Sequence, residues 1–173
     1  MNLFLWGALP YIAFTFLIVG TLVRFFYFER NWTTKSSEFL EKKQLRIANP
    51  LFHFGLLCVI GGHVVGVLIP KTWTATIGIN DHMYHEGALY MGAVAGIIFI
   101  VGFLLLMKRR FTVPAMKVNT SGLDKWLYLF LTLAIFSGMA GTLLNASGFF
   151  DYRVSIGPWF RSLISFMPDP SLM

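Results

Sequence analysis

Two histidines, His53 and His63, lie within LFHFGLLCVIGGHVVGVLI, an apolar stretch over residues 51–69 that carries no formally charged side chain. An ionisable group at membrane depth is costly, and where one occurs it is paired or functional. Neutral imidazole is a common metal ligand and the main protein ligand to haem iron, so the pattern points to a metal or a haem. The two histidines are ten residues apart, which on an α-helix is about 15 Å along the axis and roughly 80° around it. One iron cannot take both. If they are ligands, they serve two cofactors stacked across the membrane, each needing a second ligand from another helix. A buried membrane histidine can also hydrogen-bond a backbone carbonyl or serve a proton path, and that reading stays open.

The other two of the four histidines, His82 and His85, precede the third apolar segment. Placed at its outer edge, neither can reach a cofactor at His53, and Met107 and Met139 are only weak substitutes. Asp81, His82, Tyr84, His85 and Glu86 form a titratable cluster there. Residues of these types could take the protons that a quinol releases on oxidation, with Tyr84, His85 and Glu86 as the quinol-site candidates. An ordinary polar helix start capped by Asn80 or Asp81 is the competing account. The single cysteine, Cys58, excludes an intramolecular disulfide and reads as a small packing residue.

These residues need an apolar scaffold, and the composition supplies one. The 173 residues are 56% hydrophobic, 17% aromatic and 13% charged, with a mean hydropathy of +0.66. Soluble domains carry about a quarter charged residues, so an all-α integral membrane helix bundle is expected. Spans of roughly 20 apolar residues are predicted at about residues 3–28, 51–69, 86–107 and 123–144. The first lacks a basic start and a small-residue cleavage site, so it is expected to remain as a helix with Pro10 near its beginning.

The net charge of +6 is topological rather than a nucleic-acid footprint. Of the 14 basic residues, Arg24, Arg30, Lys35, Lys42, Lys43, Arg46, Lys108, Arg109, Arg110, Lys117 and Lys125 fall on one side of the predicted spans. Lys71, Arg153 and Arg161 fall on the other. The positive-inside rule makes the first side cytoplasmic and puts the N-terminus outside. Trp6, Trp73 and Trp159 then mark the outer boundary, Trp32 and Trp126 the inner one. His53 lies near the cytoplasmic surface and His63 in the outer half. The triplet Lys108, Arg109 and Arg110 reads chiefly as a topology determinant, with pairing to haem propionates as a lesser role.

Residues 29–49 read as a cytoplasmic loop with a short amphipathic helix capped by Ser36 or Ser37, carrying Phe39, Leu40 and Leu45 towards lipid or protein. Asn49 and Pro50 are expected to begin the second span, and Pro70 to end it. The tail from Ser147 should be mostly turns, with a short interfacial helix around Trp159 to Phe166. Gly55, Gly62 and Gly66 share one side of the second span, Gly92 and Gly96 one side of the third, and Gly138 and Gly141 thin the fourth. Close helix packing and room for a flat macrocycle both account for them.

The segments WTTKSSEFLEKKQL, LFHFGLLCVIGGHVVGVLIP, LLLMKRR and DYRVSIGPWFR resemble the gamma subunit of respiratory nitrate reductase, the cytochrome b subunit that anchors the complex. The resemblance covers essentially the whole chain as a single domain, 1–173, and implies two haems b in a five-helix protein of the cytoplasmic membrane. It implies menaquinol or ubiquinol oxidation near the outer haem. Electrons would then pass inward to the iron–sulfur beta subunit and to the molybdenum alpha subunit, where nitrate is reduced in anaerobic respiration. His53 matches the ligand of the inner, proximal haem and His63 that of the outer, distal haem. The family's fifth helix, which supplies the opposing histidines, is not matched within this sequence. The chain is therefore expected to be C-terminally incomplete, and to hold haem poorly and lack activity alone. The family's quinol-site lysine has no match; Tyr84, His85 and Glu86 occupy that stretch. A cytochrome b serving a disulfide or sulfur-compound reductase is the nearest alternative. A cofactor-free membrane anchor or assembly subunit is the alternative from another class.

Overall fold

The computed structural model describes residues 2–28, 37–149 and 151–173. Arg30, Trp32, Lys35 and the expected cap Ser36 lie outside the described residues. In chain order the helices are α1 (Phe4–Tyr27), α2 (Lys43–Leu68), α3 (Lys71–Thr76), α4 (Asp81–Thr112), α5 (Pro114–Val118), α6 (Gly122–Ala146) and α7 (Ile156–Ile164). The fold is all-α: α1, α2, α4 and α6 are long and apolar enough to cross a membrane, and no strand occurs among the described residues.

Helix boundaries correct the sequence reading in several places. Pro50 does not open α2; the helix begins at Lys43 and Pro50 sits in its interior. The expected amphipathic helix does not form as predicted: Phe39 and Leu40 lie in a turn, and only the stretch from Lys43, with Leu45, is helical and continuous with the second span. Ser37 is not its cap, since no side chain caps at Lys42; instead the Glu41 carboxylate accepts from the Gln44 backbone N–H at 2.8 Å. The second correction is α4, which runs five residues beyond its predicted limits at each end. Asn80 caps it as expected, its side chain accepting from the Met83 N–H at 2.8 Å. A short helix, α3, fills part of the stretch read as a plain loop. At α6 the start is a reciprocal capping box between Ser121 and Asp124, and Gly148 follows its end at φ +72°, the left-handed conformation that a helix end favours in glycine.

The chain divides into two compact units, residues 37–152 and the two terminal segments. In the terminal unit α1 pairs with α7. Pro10 has no N–H to offer the Trp6 carbonyl four residues back, and the Trp159 indole N–H donates to that oxygen at 2.8 Å. The Trp6 and Trp159 rings meet edge to face at 5.6 Å. The Tyr11 hydroxyl donates to the Leu163 carbonyl at 2.8 Å. The expected tail helix is present, two to three residues earlier than predicted.

In the other unit α2 lies along α4. A Cβ on Gly55 would stand 2.6 Å from the Phe99 Cα, and one on Gly102 would meet the Phe52 backbone nitrogen. Residue 52 faces 102 while 55 faces 99, so the two helices run antiparallel, backbone against backbone. Phe52 packs its ring on Phe99 and Phe103 at 5.2 and 6.5 Å. Helix α6 joins α4 through Tyr128, whose ring lies 6.0 Å from Phe103 and 5.6 Å from Phe111. No residue in the most apolar part of α1 or α6 is buried, which water would not tolerate at this hydropathy.

Candidate functional site

His53 and His63 both lie on the regular α-helical part of α2, since its π-helical turn begins only at Val64. The ten-residue spacing therefore keeps its helical meaning of about 15 Å of depth. Both side chains are exposed. In each, Nδ1 meets the carbonyl one turn back: Asn49 O at 2.9 Å for His53 and Val59 O at 2.7 Å for His63. A carbonyl can only accept, so Nδ1 must carry the hydrogen and donate it. In the neutral ring that leaves Nε2 with its lone pair bare, and no hydrogen bond reaches either Nε2 among the described residues. An Nδ1–H held by a carbonyl fixes tautomer and ring orientation in the way that metal-bound imidazole requires. Beside His63, Gly62 has nothing within 4 Å of where its Cβ would stand, and Gly61 is equally open. These residues fit an axial ligand to a haem.

Each α2 histidine offers a single ligand. No group of three or more His, Cys, Asp or Glu side chains able to hold a metal occurs among the described residues. His82 and His85 sit on the first turns of α4, the former exposed and the latter half-buried, as are Tyr84 and Glu86. Asp81 lies 3.7 Å from Lys71, which also pairs with Asp151 at 3.1 Å. Next to that pair, the Tyr152 ring covers Gly66, 3.1 Å from its would-be Cβ. The glycine expectations thus separate. Gly55 and Gly66 serve close approach, whereas Gly62, Gly92, Gly138 and Gly141 face open space. Gly96 faces the Met139 sulfur at 3.7 Å, so Met139 packs between α4 and α6. Cys58, expected to be a packing residue, is exposed.

Two members of the basic triplet, Arg109 and Arg110, are held in ion pairs. Arg109 is 3% exposed. Its Nε donates to Glu41 Oε2 at 2.8 Å, Nη1 to Ser37 Oγ at 3.0 Å, and Nη2 to the carbonyls of Ser37 and Glu41 at 2.7 and 2.6 Å. Charge-assisted bonds of this kind are the strong ones, and they use all but one of its five N–H groups, so little is left for a propionate. Arg110 pairs with Asp124 at 2.7 Å, while Lys108 is exposed. The Gln44 N–H, with the Arg109 guanidinium adding to it and desolvation opposing, holds the Glu41 carboxyl below its ordinary 4.5. One signal could have found Arg109: it lies seven residues after Gly102, so it shares the face of α4 that meets α2.

Residues 2–173 match the sequence model of the family described as nitrate reductase gamma subunit. The chain belongs to that family. The nitrate reductase gamma chain of Bacillus subtilis is 46% identical over 170 residues, covering 98% of this chain and 76% of the relative. The respiratory nitrate reductase 1 gamma chain of Escherichia coli is 31% identical over 143 residues, covering 83% of this chain and 62% of the relative. A nitrate reductase-like protein NarX of Mycobacterium tuberculosis is 39% identical over 171 residues, which are 97% of this chain and 26% of that protein. As a gamma subunit, the chain is part of an oxidoreductase complex, and its four long apolar helices make it a multi-pass membrane protein.

Proposed function

We propose that this gamma subunit carries two haems b, oxidises quinol near the outer face of the cytoplasmic membrane and passes electrons inward to the beta and alpha subunits for nitrate reduction. The observation that carries the reading is the pair of α2 imidazoles, each with Nδ1–H held by a backbone carbonyl and Nε2 bare. Bound haem would supply one-electron redox chemistry at two depths. His53 would hold the inner group and His63 the outer, and Gly61 and Gly62 leave space beside the latter. The excess of Lys and Arg in the segments before α2 and between α4 and α6 supports an orientation with His53 near the cytoplasm. Quinol oxidation releases two electrons and two protons, so it needs acceptors at a water-accessible edge. Tyr84, His85 and Glu86 are the candidates, half-buried at the start of α4.

A reduced-minus-oxidised optical spectrum of the membrane complex tests this. The expected result is b-type bands in the unsubstituted complex. His63→Ala should lose the outer haem and quinol oxidation while still inserting. His53→Ala should keep the outer haem reducible by quinol and stop transfer onward. A flat spectrum in the haem-replete complex favours the cofactor-free anchor, in which the same two hydrogen bonds merely satisfy the histidines. Normal quinol turnover in His63→Ala would refute the ligand assignment.

A further inference from the structure

We propose that Arg109 is a positioning residue for the His53 imidazole, setting through Ser37 and Glu41 how α2 carries that ring past Pro50. The inference rests on the reading of His53 as an axial ligand. A proline inside a helix removes one ladder bond and its ring crowds the preceding turn, so α2 has a point of weakness at Pro50. His53 lies three residues beyond it, and the bond that orients its ring goes to the carbonyl of Asn49, in the same peptide unit as the Pro50 nitrogen that lacks its ladder bond. The imidazole is therefore oriented by the peptide unit at the edge of the weak turn, which runs from Arg46 to Pro50. Beyond Pro50, α2 is seated on α4 by the Gly55 and Gly102 contacts. Before Pro50, α4 holds the chain through the four Arg109 bonds, and Glu41, one of the acceptors, also accepts from Gln44 in the first turn of α2. One helix thus holds α2 on both sides of its proline. His63 differs: its orienting carbonyl, Val59, and its ring both lie beyond Pro50.

The test is electron paramagnetic resonance and redox titration of the ferric haems in the membrane-bound complex, with His53→Ala identifying which signal belongs to the inner haem. Arg109→Gln should shift or broaden the inner-haem signal, move its midpoint potential and lower its occupancy at least twofold, with the outer haem unchanged. Arg109→Lys should not rescue, because a point charge cannot reproduce a fork that reaches two carbonyls. Adding Pro50→Ala, which restores the ladder, should restore the inner signal. If Arg109→Gln accumulates poorly, Glu41→Gln should show the same selective change in milder form. Unchanged inner-haem spectra in both variants, or equal loss of both haems, would overturn the proposal. Absence of any b-type signal from the unsubstituted complex would instead overturn the ligand reading on which it rests.

Discussion

An imidazole becomes a directed ligand once one of its nitrogens is committed elsewhere. In α2 that commitment is local, to the carbonyl one turn back, at 2.9 Å for His53 and 2.7 Å for His63. Sequence could supply the residue type and the depth, but not the tautomer, which the carbonyl decides. The same scale holds a pH prediction at Glu41. The Gln44 N–H and then Arg109 favour its ionised form, so its folded-state value lies below the ordinary 4.5. A depressed carboxyl contributes stability that is complete above the unfolded value and is lost as pH falls through the folded one. Limited proteolysis of the turn at residues 37–42 should therefore rise on acidification below 4.5. In Glu41→Gln the cleavage rate should be higher at neutral pH and flat across that window. An unchanged pH profile in the variant would remove Glu41 as the cause.

At the scale of the element, glycines decide what α2 can approach. Gly102 meets the Phe52 backbone, and backbone cannot retreat as a side chain can. Gly102→Val should therefore cost about 1–3 kcal/mol, as overpacking does, read as a lower melting temperature of the detergent-solubilised complex. Gly62 faces nothing within 4 Å. Gly62→Leu should leave the melting temperature of the haem-free chain unchanged or slightly raised, since leaving glycine in a helix gains about 0.5–1 kcal/mol. If the open space admits a macrocycle, the same variant should lose haem from the His63 site. Full haem retention would make Gly62 a lipid-facing residue only. The existence and order of the long helices were legible from apolar run length. Where α2 begins was not, because Pro50 looks like a first-turn residue and the stretch before it is polar, while the Arg109 contacts that hold Ser37 and Glu41 just ahead of α2 come from another helix.

At the scale of the whole molecule, hydropathy and family agree, and orientation is the testable remainder. In a Cys58→Ala background, Lys71→Cys should react with a membrane-impermeant maleimide from the outer side of intact cells. Phe39→Cys, 97% exposed, should react only after the membrane is opened. The reverse pattern would invert the assignment of inner and outer histidine. Within residues 37–152 the packing concentrates on α2 and α4, so the histidine-bearing helix is the one best supported by a neighbour.

Sequence by itself determined the all-α membrane class, the two histidines at different depths and the family, because each follows from local composition and spacing. Tertiary structure decided the rest. It alone buried Arg109 among the carbonyls of residues far away in sequence, and it sorted glycines that seat a neighbour from those that face open space. Spacing along a helix is a property of one chain segment. Which groups then meet across helices depends on register between segments, and no single segment encodes that.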